Sequence, residues 1–426
     1  QAYHKGFDIN TTKHVTDMDP SKITTTLSDT AKSKIISTRI RVARNLAMFP
    51  LNPGASKETR PAICDMMEKV YAGIDPANDL SGDMFRHTTM SDEQRQGLID
   101  DHFLFRGKDS MQAASGYHTY WPEGRGVFHN KSKTFVNWLN EGDHLRIISM
   151  EQGGDVLGVF TRLAEGAKLI EEGVKKETGA DAAFMMHPIF GSLTCCPSNI
   201  GTGMRGSVHI LVPKLIATIG FEAIDKMCRE RNCQARGSSG EHSAVVDRID
   251  VSNWRRIGFP EYELVHDMIK CANFLAEEED KLPDVAAAPA GEDATSVMLA
   301  AGYIVQGSPE AAAADPDFDL ILNPSLAKNE YPKAELEAAR AADHTSLSSQ
   351  FCTEEVWNQY KDKISSGPAK WTLARAINSG TCYPSSFVGC HAGDSSSYDD
   401  FKDFFYPVVQ AYHKGFDINT TKHVTD

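Results

Sequence analysis

The amino-acid sequence predicts an α+β protein in two parts, and three observations support that class. Residues 18 to about 283 mix short β-branched stretches with amphipathic helical stretches. Residues 318–410 show mainly helical patterns. Residues 284–317 between them are rich in Ala, Pro and acidic residues, a composition typical of a linker. We therefore expect a larger mixed domain at 1–283 and a small all-α domain at 318–409.

Individual elements can be located within both parts. Residues 143–150 (DHLRIISM) and 206–212 (GSVHILV) are short and rich in β-branched residues, which predicts strands. Residues 155–176 predict an amphipathic helix, because apolar residues recur every three or four positions, and the helix starts at Asp155, a residue type favoured at N-caps. Residues 379–394 (SGTCYPSSFVGCHAGD) predict a loop by their Gly, Ser and Pro content.

Composition and charge narrow the class of function. The 426-residue chain has a formal net charge of -14, which argues against nucleic acid as a partner because phosphate backbones require a basic surface. No apolar run approaches the ~20 residues that span a bilayer, so no membrane partner is expected. The nine cysteines show no paired metal-ligand spacing, which favours reduced thiols in the cytoplasm and no protein metal site. The chain begins without Met and without a signal-peptide pattern, so we expect it to be part of a longer polypeptide.

One segment occurs twice. The sequence QAYHKGFDINTTKHVTD fills residues 1–17 and again residues 410–426, without a single difference. The two copies begin 409 residues apart, which is the size of a whole enzyme and far longer than a solenoid unit. Residues 410–426 are therefore predicted to be the start of a next repeat.

Arginines stand in unusual places for an acidic protein. Arg39 and Arg41 alternate in a strand-like stretch, so their side chains share one face. Arg146 interrupts an apolar strand, Arg205 follows a glycine-bearing turn, and Arg236 precedes a glycine-rich loop. Any one of them is compatible with a surface salt bridge. Together they indicate an anion site, and a triphosphate with about four negative charges suits it because phosphoryl transfer depends on positioning and charge neutralisation.

Several longer segments resemble the phosphagen (guanidino) kinase family, with arginine and creatine kinases the most similar types. The segments that carry the resemblance are STRIRVARNL, LIDDHFLFRG, WPEGRGVFHNKSKTFVNWLNEGDHLRIISM, CPSNIGTGMRGSVH, QARGSSGEH and CTEEVWNQYKDKI…GPAKWTLARAINSG. The resemblance implies a catalytic domain with a large antiparallel sheet flanked by helices, as in glutamine synthetase. It also implies that the small α-helical domain governs the choice of guanidine.

The resemblance implies a nucleotide site for ATP and ADP. By position, the arginines that clamp the phosphates are Arg39, Arg41, Arg146, Arg205 and Arg236, and further nucleotide-site residues are Ser37, His129 and Asp250. Magnesium is expected to be held by nucleotide oxygens and water, without a cage of protein carboxylates.

The resemblance also implies a site for a small guanidino substrate. Its expected residues are Cys196, Ser198, His242, Ser386, Phe387 and Val388, with Glu241 on the same closing loop as His242. Cys196 would orient the guanidinium and Ser198 would tune its thiolate, although a cysteine can also be a small buried hydrophobe. The residues expected to act in catalysis are Arg146, Arg205, Arg236, Cys196 and Glu241.

Departures from the family pattern leave alternatives open. Gly142 replaces the glutamate that normally pairs with the guanidinium, and Glu241 is the best remaining carboxylate. The first hypothesis is an active kinase that buffers ATP, with arginine as the first choice of substrate. The second is a degenerate repeat with a structural or scaffolding role. A protein-arginine kinase is disfavoured, because that type lacks the small helical domain.

The order of the parts predicts an array. In a single phosphagen kinase the helical domain comes first, whereas here it follows the catalytic domain. We therefore expect near-identical repeats of the same polypeptide as partners, with each helical domain completing the next active site. That arrangement predicts tens of ångströms between Val388 and Cys196 of this chain. The expected location is the cytoplasm, including flagella or other structures with a high demand for ATP.

Overall fold

The computed structural model describes residues 7–11, 13–105, 107, 110–237, 247–284, 322–341 and 345–413. Within them the predicted α+β class is confirmed: a large antiparallel sheet with flanking helices is joined by a group of short helices. Of the predicted linker only Asp284 is described, and of the second copy only residues 410–413 are described. Residues 318–321 of the predicted helical domain also lie outside the described residues.

The strands are β1 (Ile35–Arg44), β2 (Gly82–Arg86), β3 (Gly126–Asn130), β4 (Phe135–Leu139), β5 (Leu145–Gln152), β6 (Met186–His187), β7 (Gly191–Ser192), β8 (Met204–Leu211), β9 (Cys233–Gly237) and β10 (Arg248–Asn253). One eight-stranded sheet has the order β2-β3-β4-β5-β1-β8-β10-β9, and all its neighbouring strands are antiparallel. Strands β6 and β7 form a separate hairpin.

The helices of the first part are α1 (Asp29–Lys34), α2 (Thr59–Ala72), α3 (Asp92–Asp100), α4 (Ser110–Ser115), α5 (Val156–Thr178), α6 (Pro213–Arg229) and α7 (Glu261–Asp280). Those of the second part are α8 (Pro324–Ala327), α9 (Lys333–Ala341), α10 (Leu347–Phe351), α11 (Glu354–Tyr360), α12 (Leu373–Cys382), α13 (Ser397–Asp400) and α14 (Lys402–His413). None of the described helices is long and apolar enough to cross a bilayer.

The pleat of the central strands separates a core face from an open face. Ile40 and Val42 of β1 are fully buried in the main apolar core, and helices α2, α5, α6 and α7 add residues to the same core. Arg39 and Arg41 alternate with them and line a cleft on the other face. The central strands therefore turn an apolar face to the helices and a polar face to the cleft. On β3–β5 this second face carries a smaller apolar cluster, to which Leu98 of α3 contributes.

The predicted elements are confirmed with small shifts. Helix α5 begins after Asp155, whose side chain accepts a hydrogen bond from the Gly158 N–H at 3.0 Å, as expected of an N-cap. The strands predicted at 143–150 and 206–212 are β5 and β8, and both are displaced by one or two residues. The loop predicted at 379–394 is partly wrong, because its first four residues end helix α12.

The second part packs against the first through a shared apolar cluster. This cluster joins Trp357, Trp371 and Phe401 of the helical domain to Phe190 and Leu193 of the catalytic domain. Burial of aromatic and aliphatic surface on both sides therefore holds the two parts together.

Backbone and side-chain hydrogen bonds cross the same interface. The Tyr398 hydroxyl donates to the carbonyl oxygen of Thr194 at 2.9 Å, and the Ala392 N–H donates to that of Cys195 at 2.8 Å. The helical domain is thus placed next to the turn that precedes β8.

Candidate active site

Arginine side chains gather on the open face of the central strands. Arg41 on β1 lies opposite Arg205 on β8, and Arg39 lies opposite Ser207. Residues directly opposite each other in an antiparallel ladder share a face, and so do residues two apart in one strand. The structure therefore brings Arg39, Arg41 and Arg205 together on one surface, which we call the arginine face.

Two adjoining hollows lie over this surface. The larger, of about 440 Å³, is lined by Ser37, Thr38, Arg39, Arg41, Met150, Arg205, Ser207 and His209. The smaller, of about 270 Å³, is lined by Arg39, His102, Phe103, Val136, Trp138, Ile148 and Met150. A cationic cleft beside an aromatic and aliphatic hollow suits a ligand with an anionic end and a flat apolar end, as a nucleotide has.

A buried carboxylate orients Arg205. Asp250 on β10 accepts a hydrogen bond from Arg205 Nη2 at 2.6 Å, and His209 Nε2 lies 3.8 Å from its other oxygen. Burial raises the pKa of Asp250, but the charges of Arg205, His209 and Arg236 outweigh burial and hold that pKa below its usual value. Ser37 Oγ lies 3.0 Å from His209 Nδ1, so a chain of polar contacts runs from Ser37 to Arg205.

Arg146 on β5 extends the same surface. Its Nη2 lies 3.0 Å from Glu141 Oε2, and its guanidinium carbon lies 5.4 Å from the centre of the Trp138 ring. Arg39 also faces this ring, at 5.8 Å. Arg146 is opposite Ala43 in the ladder, which places it on the arginine face. Trp138 and Glu141 thus fix the position of the Arg146 guanidinium beside the cleft.

Arg236 and His129 lie towards the two edges of the sheet. Arg236, on edge strand β9, is opposite Asp250. His129, on β3, stacks on Phe85 at 5.3 Å and lies 5.7 Å from Phe103, which lines the smaller hollow. By ladder register, all eight predicted nucleotide-site residues therefore share one face of the sheet.

The turn before β8 brings Cys196 and Ser198 to the end of this face. Cys196 Sγ lies 3.1 Å from Ser198 Oγ, so the predicted thiol and hydroxyl are in contact. The turn requires glycine, because Gly201 has φ +97° and Gly203 has φ +60°. A Cβ at Gly201 would lie 2.3 Å from the carbonyl oxygen of Arg256.

The predicted substrate loop of the helical domain is held by its backbone. The carbonyl oxygens of Phe387 and Val388 accept hydrogen bonds from the N–H groups of Leu347 and Ser348 at 2.9 and 3.0 Å. Ser386 donates its own N–H to Tyr383 O at 2.9 Å. The loop is therefore anchored to the start of α10, with Ser386 and Phe387 half-buried.

The expected separation of tens of ångströms between Val388 and Cys196 is wrong. Val388 and Cys195 belong to one buried cluster, and Cys196 packs against it. Ala392 is hydrogen-bonded to Cys195, and the four residues from Val388 to Ala392 span at most roughly 14 Å. The reason is that the apolar faces of the two domains cover each other within this chain. The expectation that each helical domain completes the next active site is therefore wrong as well.

The corner between β4 and β5 leaves no acidic side chain at position 142. Asp143 accepts hydrogen bonds from Asn45 Nδ2 at 2.7 Å and from the Cys195 N–H at 2.8 Å, so it holds the corner itself. Glu141 points to Arg146. Both carboxylates are thus engaged with other side chains or backbone groups of this region.

Other expectations stay predictions. Glu241 and His242 lie outside the described residues. Across the part of the chain that the structure describes, no group of three or more His, Cys, Asp or Glu side chains could hold a metal ion. Magnesium binding through nucleotide oxygens and water stays a prediction.

Sequence reasoning did not single out three residues of this region. His209 was detectable, because it is four residues after Arg205 in one strand. Trp138 was not, because only the pairing of β4 with β5 places it opposite Arg146. Tyr117 gives no local signal, because it lies in an irregular segment. Its ring reaches His391 of the helical domain, with ring centres 5.0 Å apart.

Two family descriptions match the chain. The family described as ATP:guanido phosphotransferase, C-terminal catalytic domain, matches residues 63–282, and the family described as ATP:guanido phosphotransferase, N-terminal domain, matches residues 342–410. The two domains therefore stand in the reverse of the order that their names give.

Curated relatives share this likeness. An arginine kinase of Anthopleura japonica is 35% identical over 432 residues, which cover 100% of this chain and 52% of the relative. A probable arginine kinase of Caenorhabditis elegans is 40% identical over 282 residues, 66% of this chain and 75% of the relative. The chain thus spans about half the length of the first relative.

Solved structures with the same fold include a lombricine kinase, with a TM-score of 0.60 and 35% identity over 65% of this chain and 73% of that chain. The duplicated taurocyamine kinase of Schistosoma mansoni has a TM-score of 0.57 and 29% identity, and the match covers 94% of this chain and 51% of that chain.

Proposed function

The chain belongs to the ATP:guanido phosphotransferase family, and we propose that it moves the γ-phosphoryl group of ATP reversibly onto the guanidine of arginine. The observation that carries the proposal is the open sheet face, where five arginines are accompanied by the carboxylates of Glu141 and Asp250. An excess of fixed cations suits a triphosphate, because charge neutralisation and positioning dominate phosphoryl transfer. The proposed role is ATP buffering in the cytoplasm, or in a flagellum or similar ATP-demanding structure.

The proposed chemistry is direct in-line transfer between two aligned substrates. The five arginines hold the phosphates, and magnesium enters with the nucleotide and reduces the phosphate charge. Cys196 and Ser198, at the end of the same sheet face, orient the guanidinium. Glu241 and His242 close over the substrates and exclude water. No covalent intermediate with the protein is needed.

Arginine is the preferred acceptor in this proposal because of loop length. The insert Thr381–Phe387, between Gly380 and Val388, is short, as in arginine and lombricine kinases that accept large guanidines. The amino-acid sequence around His391 is more similar to that of creatine kinases. A lombricine kinase and a taurocyamine kinase among the similar structures support the guanidine class as a whole.

A coupled assay with arginine, creatine, taurocyamine, lombricine and glycocyamine tests the proposal. We expect the highest kcat/KM with arginine. A higher value with another guanidine would correct the acceptor and leave the reaction in place. Absence of turnover with all five would contradict the enzymatic proposal.

A structural role is the second candidate, and Gly142 favours it. Without a carboxylate at this position, the guanidinium lacks its usual ionic partner. A degenerate repeat would still bind Mg-ADP through the arginine face while turning over no guanidine. Calorimetry with Mg-ADP, run beside the kinase assay, distinguishes such a repeat from a protein that binds no nucleotide.

We further propose that the whole protein is a fusion of near-identical kinase repeats with a period of 409 residues. Residues 1–17, the first copy, and residues 410–426, the second copy, are identical. The chain covers 52% of the Anthopleura japonica arginine kinase and 51% of the duplicated taurocyamine kinase. Both observations support a polypeptide longer than one period.

The contacts of the first copy support the same proposal. The Phe7 N–H donates to the His413 carbonyl at the end of α14, at 2.8 Å. The Gln410 side chain donates to Phe7 O at 2.6 Å and accepts from the Ile9 N–H at 2.8 Å. Phe416 is the counterpart of Phe7 and follows His413 by three residues. The first copy thus makes contacts that the second copy, joined directly to α14, is equally able to make.

The matched variants Phe7→Ala and Phe416→Ala test this organisation. Phe7 is 2% exposed and its ring packs edge-on against Phe190. In the 426-residue chain either copy can fill this one contact, so Phe7→Ala/Phe416→Ala should lower the free energy of unfolding by about 3–5 kcal/mol and each single change by less. In a protein of two successive periods both changes should destabilise. A two-period protein indifferent to Phe416→Ala would contradict the repeat proposal.

A further inference from the structure

The ring of Tyr117 stands where the two domains and the candidate acceptor site meet. Tyr117 lies between α4 and β3 and is half-buried. Its ring is perpendicular to that of His391, with an interplanar angle of 77° and ring centres 5.0 Å apart. It also packs against the apolar cluster that contains Val388 and Cys195. A catalytic-domain side chain therefore reaches the loop that is expected to select the guanidine.

The backbone holds this ring in place. The carbonyl oxygen of Tyr117 accepts a hydrogen bond from Arg125 Nη2 at 2.7 Å, and its N–H donates to Gln112 O at 3.0 Å. Arg125 is only 1% exposed. A buried arginine that grips several carbonyl groups of one segment leaves that segment little freedom to move.

The phenol end of Tyr117 lies in front of Gly142. A Cβ built on Gly142 would lie 3.9 Å from both Cε2 and Cζ of Tyr117. A methyl group would be in ordinary contact, but a longer side chain at position 142 has to share its space with the ring. The backbone of Gly142 is fixed, because its carbonyl accepts a hydrogen bond from Asn52 Nδ2 at 3.0 Å.

The surroundings of the phenol are those expected for holding a cation. Burial is the main cause that raises the pKa of Tyr117 well above its usual value, and the neighbouring Cys195, Cys196, Asp143 and Glu141 add to the shift. The hydroxyl is therefore neutral near pH 7 and suits a hydrogen bond rather than proton abstraction. No hydrogen bond joins it to another residue among those that the structure describes.

We propose that Tyr117 is a substrate-positioning residue, which holds the guanidinium against Cys196 in place of the side chain that Gly142 lacks. The inference rests on the proposed kinase function and deepens it. The phenol oxygen accepts a guanidinium N–H, and the ring supports the planar cation. A guanidinium is the phosphoryl acceptor that suits this site. Its N–H groups match the phenol oxygen, and its planar cation matches the aromatic ring.

Steady-state kinetics of Tyr117→Phe test the proposal. We expect the KM for the best guanidine to rise about tenfold, with kcat within about threefold of the parent, because one hydrogen bond to a charged group is lost. The KM for Mg-ATP should not change. Tyr120→Phe is the matched control, since Tyr120 belongs to the same segment but is 38% exposed. It should leave every constant at the parent value.

The pair of positions gives a second readout. Gly142→Glu alone should gain less than about threefold in kcat/KM, because the ring occupies the space. In Tyr117→Ala/Gly142→Glu, the carboxylate should restore much of the affinity that Tyr117→Ala loses, and this coupling would not arise from a purely structural role.

The outcomes separate this inference from the proposed function. An active parent whose guanidine KM is unaffected by Tyr117→Phe would overturn the role of Tyr117 and leave the kinase proposal standing. Failure of the parent to turn over or bind any guanidine in calorimetry with Mg-ADP would overturn both.

Discussion

The contribution of a side chain on the arginine face to nucleotide binding depends on its buried partner as much as on its own charge. Arg205 is oriented by Asp250, which is 3% exposed, and the two form an ion pair of 2.6 Å. Truncating Arg205 would leave the carboxylate buried with less compensation. Removing Arg205 should therefore weaken nucleotide binding more than removing one member of an exposed ion pair would.

Arg205→Ala should weaken the binding of Mg-ADP by about 30-fold or more in calorimetry. A charge-assisted contact to phosphate in a partly buried site is worth roughly 2–4 kcal/mol. Arg162→Ala is the matched control, because Arg162 on α5 forms a 2.8 Å ion pair with Glu151 and does not line the cleft. Equal affinities in Arg205→Ala and the parent would show that the arginine face is not the nucleotide site.

At the scale of elements, helix α5 combines caps that follow from local sequence with an apolar face buried in the main core. Its apolar stripe, which includes Phe160 and Leu163, is fully buried against the sheet. The cap at Asp155 satisfies a backbone donor that the helix itself leaves unpaired, and Gly179 ends the helix with φ +68°. Periodicity and caps agree here, which explains why the sequence predicts this helix well.

Asp155→Ala should lower the free energy of unfolding by about 0.5–2 kcal/mol, as measured by urea denaturation. The lost interaction is the 3.0 Å hydrogen bond from the Gly158 N–H. Asp155→Asn keeps an acceptor at the same position and should retain most of the stability. If the alanine and asparagine variants are equally stable, the side chain does not cap the helix.

At the scale of the whole molecule, the interface between the domains holds an imidazole. His391 is 8% exposed, and Ser379 Oγ lies 3.1 Å from its Nδ1. Burial lowers the pKa of His391 from its usual 6.5 to about 3. Because the unfolded chain binds this proton more readily, the imidazole reduces stability as the pH falls from 6.5 towards 3.

His391→Gln should make the protein less sensitive to acid. Between pH 7 and pH 5, the free energy of unfolding of the parent should fall by about 2 kcal/mol more than that of the variant, because pH 5 lies about 1.5 units below the pKa in the unfolded chain. Urea denaturation at the two pH values measures this difference. Parallel losses in both proteins would mean that His391 takes up its proton without disturbing the fold.

Much of the fold follows from local sequence pattern, and so do the arginine face and the glycine-bearing turn of the candidate site. The alternation of Arg39 and Arg41 with Ile40 and Val42 places arginines on one sheet face and aliphatic residues on the other, whatever the strand order. The glycines before β8 have dihedral angles that few other residues adopt. Strand ends are less predictable, because hydrogen bonds from distant residues such as Asn45 decide where β5 begins.

Local sequence pattern accounts for the α+β class, the family resemblance, the face of the arginines and the identity of the two copies. The three-dimensional fold was needed to show that the helical domain packs on the catalytic domain of the same chain and that Tyr117 stands in front of Gly142. The reason is physical. Alternation and turn chemistry act between neighbours in the chain, whereas the choice of which apolar surfaces cover each other depends on segments far apart in sequence, and no local pattern encodes that choice.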